Sequence, residues 1–233
     1  LIGLVTWARV LGLEIVTAGK SSEYDFVYDP AQKSVSWRDQ VVNVPDFDQL
    51  WQLPSSDLAE TLAARAEQLS AFPRRIVPDY CEMGVVCNAI GLKPDRSDFH
   101  APICRTVEVP EILRPAAFGG MLQRSGVVDV FNCLRRPDEA SFAGGVFIVV
   151  RCSDEGTWKT LKGKGIPVSR ANDHALLYNP QHLLGLEAPI SMLSAVRLGR
   201  STGGADPRPV VDLVARAVAP LKAGMKFEIS DPH

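Results

Sequence analysis

The chain has almost no charge imbalance. Its 25 lysines and arginines face 27 aspartates and glutamates, a formal net charge of −2. No basic excess invites nucleic acid or an anionic membrane. Long hydrophobic runs are missing too. Stretches such as residues 145–150 (GVFIVV) fall far short of the roughly 20 apolar residues that span a bilayer. The apolar opening, residues 1–13, is interrupted by Arg9 and followed by no small-residue cleavage site, so it does not read as a signal peptide. Cysteine is sparse and odd in number. Cys81, Cys87, Cys104, Cys133 and Cys152 include no Cys-x-x-Cys pair. No spacing suggests a disulfide framework, which predicts reduced thiols in a cytoplasmic protein. His100, His174, His182 and His233 are scattered without His-x-x-x-His spacing, so no zinc motif is expected. A complete Gly-x-Gly-x-x-Gly dinucleotide fingerprint is also lacking.

What is present is an ordinary globular composition, 46% hydrophobic and 22% charged over 233 residues. That is enough for one large core, or one domain and a fragment. The pattern predicts an α/β fold with a mixed α+β middle part. Residues 1–11 read as an amphipathic helix turning at Gly12 into a buried strand over residues 13–20 that ends on Gly19 and Lys20. This is the second half of an α/β unit, and open α/β sheets place ligands at the carboxyl ends of their strands. The alternative is a surface lysine after an edge strand. Residues 21–54 are aromatic and extended, with strands at 35–37 and 40–44, and either cover a pocket or form a packed crossover. Helices are predicted over 55–70, capped by Ser55 or Ser56, and over 78–91, where Gly91 is the stop. The second is apolar nearly all round beyond its first turn and is expected to be buried. Residues 126–131 and 144–150 read as strands that could pair antiparallel. Lys159, Lys162 and Lys164 form a basic turn, a weak anion loop or a solvated face. Residues 180–196 suggest an apolar helix kinked at Pro189. Residues 201–209 are a linker, with strand-like segments beyond it at 210–218 and 226–229.

Four stretches together resemble the homoserine dehydrogenase-like oxidoreductases that carry a C-terminal SAF domain. They are residues 13–20 (LEIVTAGK), 82–92 (EMGVVCNAIGL), 112–115 (ILRP) with 119–122 (GGML), and 176–187 (LLYNPQHLLGLE) followed by PIS at 189–191. Residues 219–224 (APLKAG) resemble the start of the SAF module. The resemblance implies three parts. Residues 1–20 would end an NAD(P)-binding Rossmann domain, 21–200 would be the substrate and dimerisation domain, and 208–233 would begin a small β-rich SAF domain. It also implies an NADP or NAD cofactor contacted near Ala18 and Gly19, a small-molecule substrate, and a homodimer or higher homo-oligomer. The branch that converts 1-deoxy-D-xylulose 5-phosphate for isoprenoid synthesis is the favoured specific case. Relatives would carry an Asp-Gly-Thr-Lys run before the Glu-Met helix. Here that region holds Arg74 and Arg75, which suit a phosphate or carboxylate better than a hydroxyl.

In such chemistry the cofactor transfers the hydride and the protein manages one proton. Lys20 is the expected donor to the developing alkoxide. Asp79 and Glu82, three apart on one helix face, would bind substrate hydroxyls or a divalent magnesium or manganese ion. Asp79 could instead simply stabilise the helix N-terminus. Tyr178, Asn179 and His182 are candidate substrate contacts, although His182 and Glu187 do not share a helix face. The isolated chain is expected to bind NAD(P) poorly and to be inactive. A noncatalytic dimerisation scaffold is the rival reading.

Overall fold

The computed structural model describes residues 1–72, 77–181, 183, 185–215, 217 and 219–225. Arg74, Arg75, His182 and the strand expected at 226–229 lie outside the described residues.

Helix α1 (Ile2–Val10) ends at Gly12, whose positive φ of 74° reverses the chain into β1 (Glu14–Asp29). The strand does not stop at Lys20 as the sequence suggested. It runs nine residues further because Tyr24, Phe26 and Tyr28 alternate inward, and because part of its polar middle is satisfied inside the sheet. Ser22 Oγ, for instance, donates to Asn132 Oδ1 at 2.6 Å. Lys20 therefore stands mid-strand. β2 (Ser34–Trp37) and β3 (Gln40–Asn43) form a hairpin on the tail of β1. α2 (Asp48–Trp51), α3 (Leu58–Gln68) and α4 (Val77–Ile90) follow. The cap of α3 is Asp57, in the left-handed region at φ 65°, rather than Ser55 or Ser56. After α4 come β4 (Lys93–Pro94), β5 (Ile103–Cys104), α5 (Val109–Ile112), β6 (Val127–Arg135) and β7 (Val146–Arg151). The basic segment forms α6 (Glu155–Gly163), capped by the Asp154 carboxylate, and not a loop. β8 (Ala175–Asn179) completes an eight-stranded mixed sheet.

β6 and β7 do not pair with each other. β1 lies between them, parallel to β6 and antiparallel to β7, and β8 extends the sheet beyond β7. Both candidate strands thus bond to a strand more than 100 residues upstream. The apolar segment after β8 is helical only as α7 (Ala188–Leu198). Pro189 sits in its first turn, where its missing N–H costs nothing, so it starts the helix and does not kink it. No residue of α7 is buried. The described residues of 210–218 form no strand. Val210 and Val211 instead donate their N–H groups to Asn88 Oδ1 on α4. Among the described residues no helix is long and apolar enough to cross a membrane.

One face of the sheet packs under α1 and α4, with Val5, Ala8, Met83, Cys87 and Ile90 against Ala18, Val130 and Ile148. The other face packs Phe131, Phe147 and Val149 against Val109, Ile112 and Leu113. The aromatic segment is neither lid nor loop. Tyr24, Phe26, Tyr28, Phe47 and Trp51 make a third core with Leu69 and Phe72. α4 is not buried all round either: its stripe at 79, 83, 87 and 90 faces inward, while Cys81 and Val85 are exposed.

Gly19 marks the tightest crossing. A β-carbon there would stand 1.9 Å from the Asp129 carbonyl oxygen and 2.8 Å from the Phe147 ring, whereas Gly3 has nothing within 4 Å. Gly19→Ala is expected to cost about 1–3 kcal/mol by overpacking, and Gly3→Ala close to nothing. Denaturant unfolding of both variants checks this.

Candidate active site

Residues at 79, 83, 87 and 90 repeat at helical spacing, so packing Met83 and Cys87 onto the sheet carries Asp79 inward with them. Lys20 lies on the same sheet face, and the three groups expected to act together do meet. Lys20 Nζ donates to Glu82 Oε2 at 2.6 Å and lies 3.0 Å from Asp79 Oδ1. Glu23 Oε1 stands 3.5 Å away. A plain strand would turn residue 23 to the opposite face from residue 20, but the register of β1 shifts between Ser21 and Asp25. The side chains of Lys20 and Asp79 are each 3% exposed, and that of Glu82 is 45% exposed.

Burial works against the Lys20 ammonium. The hydrogen bond to Glu82, then the charge and hydrogen bond of Asp79 and the charge of Glu82, outweigh it and hold its pKa above the ordinary lysine value. Burial pushes the Asp79 carboxyl up, and Lys20 draws it only partway back. The ammonium is thus held charged, and the Asp79 carboxyl releases its proton less readily than an ordinary carboxyl group.

Above this group opens a cleft of about 460 Å³. Its polar lining includes Lys20, Glu82, Asn179, Gln181, Glu187 and Thr202, and Leu1, Ile2, Met83 and Val86 form an apolar wall. A larger hollow of about 630 Å³ lies between α1, the end of α4 and residues 204–210, and holds none of the expected site residues. Asn179 joins the cleft but Tyr178 does not. Successive residues of β8 point to opposite faces, and Tyr178 packs edge-on against Phe142 in another hollow. Ala18 is buried in the core, and Gly19 is closed in by Asp129 and Phe147, so neither reaches the cleft. Gln181, Thr202 and Glu23 were not singled out from sequence. Gln181 lies within one of the four stretches that carry the family resemblance, which is its only signal.

The donor set does not fit a divalent ion. Asp79 and Glu82 converge on the Lys20 ammonium, and among the described residues no group of three or more His, Cys, Asp or Glu side chains is arranged to hold a metal.

A charged lysine at the floor of a substrate-sized cleft, with carboxylates maintaining its charge, defines a site able to stabilise a developing oxyanion. It belongs to an oxidoreductase. Residues 1–188 match the family model described as oxidoreductase DRL, catalytic domain, and the chain belongs to that family. No curated protein matches the chain.

Proposed function

We propose that the chain binds the substrate and manages the proton in an NAD(P)-dependent reduction of a small carbonyl compound. The specific case we favour is reductoisomerisation of 1-deoxy-D-xylulose 5-phosphate. The reading rests on the buried Lys20 ammonium facing the cleft beside Glu82. When bound, the nicotinamide supplies the hydride. Lys20 Nζ donates toward the oxygen that becomes an alkoxide, which is far more basic than an amine, so the proton moves downhill. Asp79 and Glu82 keep Nζ charged and aimed. Asn179 and Gln181 offer amides for substrate hydroxyls. Leu1, Ile2, Met83 and Val86 supply the dry wall a nicotinamide ring needs. The sequence holds no Gly-x-Gly-x-x-Gly run for the dinucleotide's phosphates, so the fit is to the nicotinamide end alone.

The charge balance supports a second reading. Lys20 is the only cationic side chain among the described residues lining the cleft, and Asp79, Glu82 and Glu187 surround it or face it. Such a lining favours an ammonium-bearing substrate, as in a homoserine dehydrogenase-like reaction on a hydroxy or oxo compound. A phosphate arm would rely on Arg74 and Arg75.

Calorimetric titration with 1-deoxy-D-xylulose 5-phosphate and with homoserine, each with and without NADPH, separates these. Sugar-phosphate binding that is lost in Arg74→Ala and Arg75→Ala supports the first. Homoserine binding alone moves the assignment to the second. Binding of neither under any condition overturns both in favour of a scaffold.

A further inference from the structure

We infer that the chain carries a second ligand site, for a small organic carboxylate with a flat apolar body, in the hollow of about 290 Å³ beside Tyr178. It lies across β8 from Lys20, because Tyr178 and Asn179 are successive strand residues and line different cavities. The volume sits at the low end for small-molecule pockets and suits a ring-sized acid.

The charge that would hold the carboxylate is Arg105. Its guanidinium carbon stacks 4.6 Å from the centre of the Trp51 ring, and that of Arg136 lies 4.9 Å from the same ring. One indole thus stacks against both guanidinium groups. Arg105 spends its donors poorly. It reaches Gln52 Oε1 and Glu139 Oε1 only at 3.5 Å, the limit of a hydrogen bond, and its Nε has no partner. Glu139 is already committed, since its other oxygen accepts the Arg136 N–H at 2.8 Å. The neighbouring Arg135, which also lines the hollow, is different. Asp25 takes its Nε and Nη2 at 2.9 Å each, and the carbonyls of Arg136 and Glu139 take Nη1. The protein therefore ties down one arginine completely and leaves the other pre-oriented with donors to spare, which is the geometry a carboxylate reads best.

The remaining wall is apolar and aromatic. Phe142 is buried, Tyr178 is 40% exposed, and their rings meet edge-on with centroids 5.2 Å apart. Leu134, Val107 and Pro180 close the hollow. A flat ring lying on Tyr178 would cover exposed aromatic surface and direct an attached carboxylate toward Arg105.

Benzoate and its uncharged analogue benzyl alcohol test this on the whole chain. Two-dimensional NMR follows the indole N–H resonances, with Trp51 assigned through Trp51→Phe. Benzoate is expected to shift the Trp51 signal saturably and to bind at least tenfold more tightly than benzyl alcohol. Arg105→Gln should abolish that preference, and Tyr178→Ala should weaken both probes. Equal affinities in the unmodified protein would overturn the proposal, as would shifts that do not saturate or that spare the Trp51 indole. The comparison on the unmodified protein stands even if a variant unfolds. The readout uses no turnover, so it is independent of the role given to Lys20.

Discussion

Measured in an assembly that turns over NADPH, Lys20→Met is expected to lower the rate by about 10²–10⁴-fold, the range of a lost general acid, with a much smaller change in KM. Methionine keeps the stem that packs in the sheet but removes the charge and the donor. If Lys20 acts on the oxygen only as it becomes an alkoxide, the loss falls on kcat. A change confined to KM would assign Lys20 to ground-state binding and remove it from the chemistry. The pH profile gives a second reading. The ammonium's pKa is raised in the folded chain. Its contribution to stability is therefore complete below the ordinary value of 10.5 and is lost only as pH rises through the folded value. Activity that depends on charged Lys20 should accordingly persist through neutral and mildly alkaline conditions, and its alkaline limb should lie above 10.5. Asp79, pushed up by burial, has the same sign at the acid end: its contribution is present below 3.8 and falls away as pH rises through its raised value. Glu82→Gln removes the strongest support of the Lys20 charge, so it should move the alkaline limb down while leaving a measurable rate. A merely structural Glu82 would not move that limb.

The sequence made the members of this site visible but not their meeting. Lys20 stood out as a cation after an apolar run, and Asp79 and Glu82 as acids in the first turns of a helix. Their convergence depends on α4 lying across β1, with about 60 residues of chain between. Local periodicity carries no information at that distance. The same limit explains the pairing error. Residues 126–131 and 144–150 are sequence neighbours with strand character, and nothing local reveals that β1 inserts between them. The extension of β1 was hidden because Ser21 and Ser22 look like a strand end. They are buried instead, and Asn132, which accepts the Ser22 hydroxyl, is far away in sequence. Tyr178 and Asn179 are neighbours in the sequence, and both read there as substrate contacts. Once β8 includes both, strand alternation sends them to separate cavities. By contrast α1, β2, β3 and α4 were legible, because each has a strong local signal: an amphipathic stripe, a tight turn, or a stop glycine such as Gly91 at φ 72°.

Arg65→Met is expected to be the most destabilising of the substitutions considered, at about 3–5 kcal/mol, the usual cost of breaking a buried ion pair from one side. At about 2–4 °C per kcal/mol for a chain of this size, the melting temperature should fall by roughly 6–20 °C. Arg65 lies on α3 at the inward spacing of Leu58, Leu62 and Leu69, a position a pattern of apolar residues passes over because the residue is charged. Its side chain is fully buried. Each guanidinium nitrogen is engaged: Nε with the Leu50 carbonyl at 2.8 Å, Nη1 with Glu108 at 2.7 Å and Ile103 at 3.2 Å, and Nη2 with Glu108 and Trp51, both at 3.0 Å. Losing it leaves a carboxylate and three carbonyls without donors in the interior. The double variant Arg65→Met with Glu108→Leu removes the orphaned charge and should recover part of the loss. It should not recover all, because the three carbonyls stay unpaired and Glu108 also accepts the Arg105 N–H at 3.0 Å. A double variant no better than the single would mean that the carbonyls, and not the ion pair, dominate the cost. A single variant losing under about 1 kcal/mol, the value of an ordinary exposed pair, would mean that water reaches this knot and that the junction of α3 with residues 103–108 is held by packing alone.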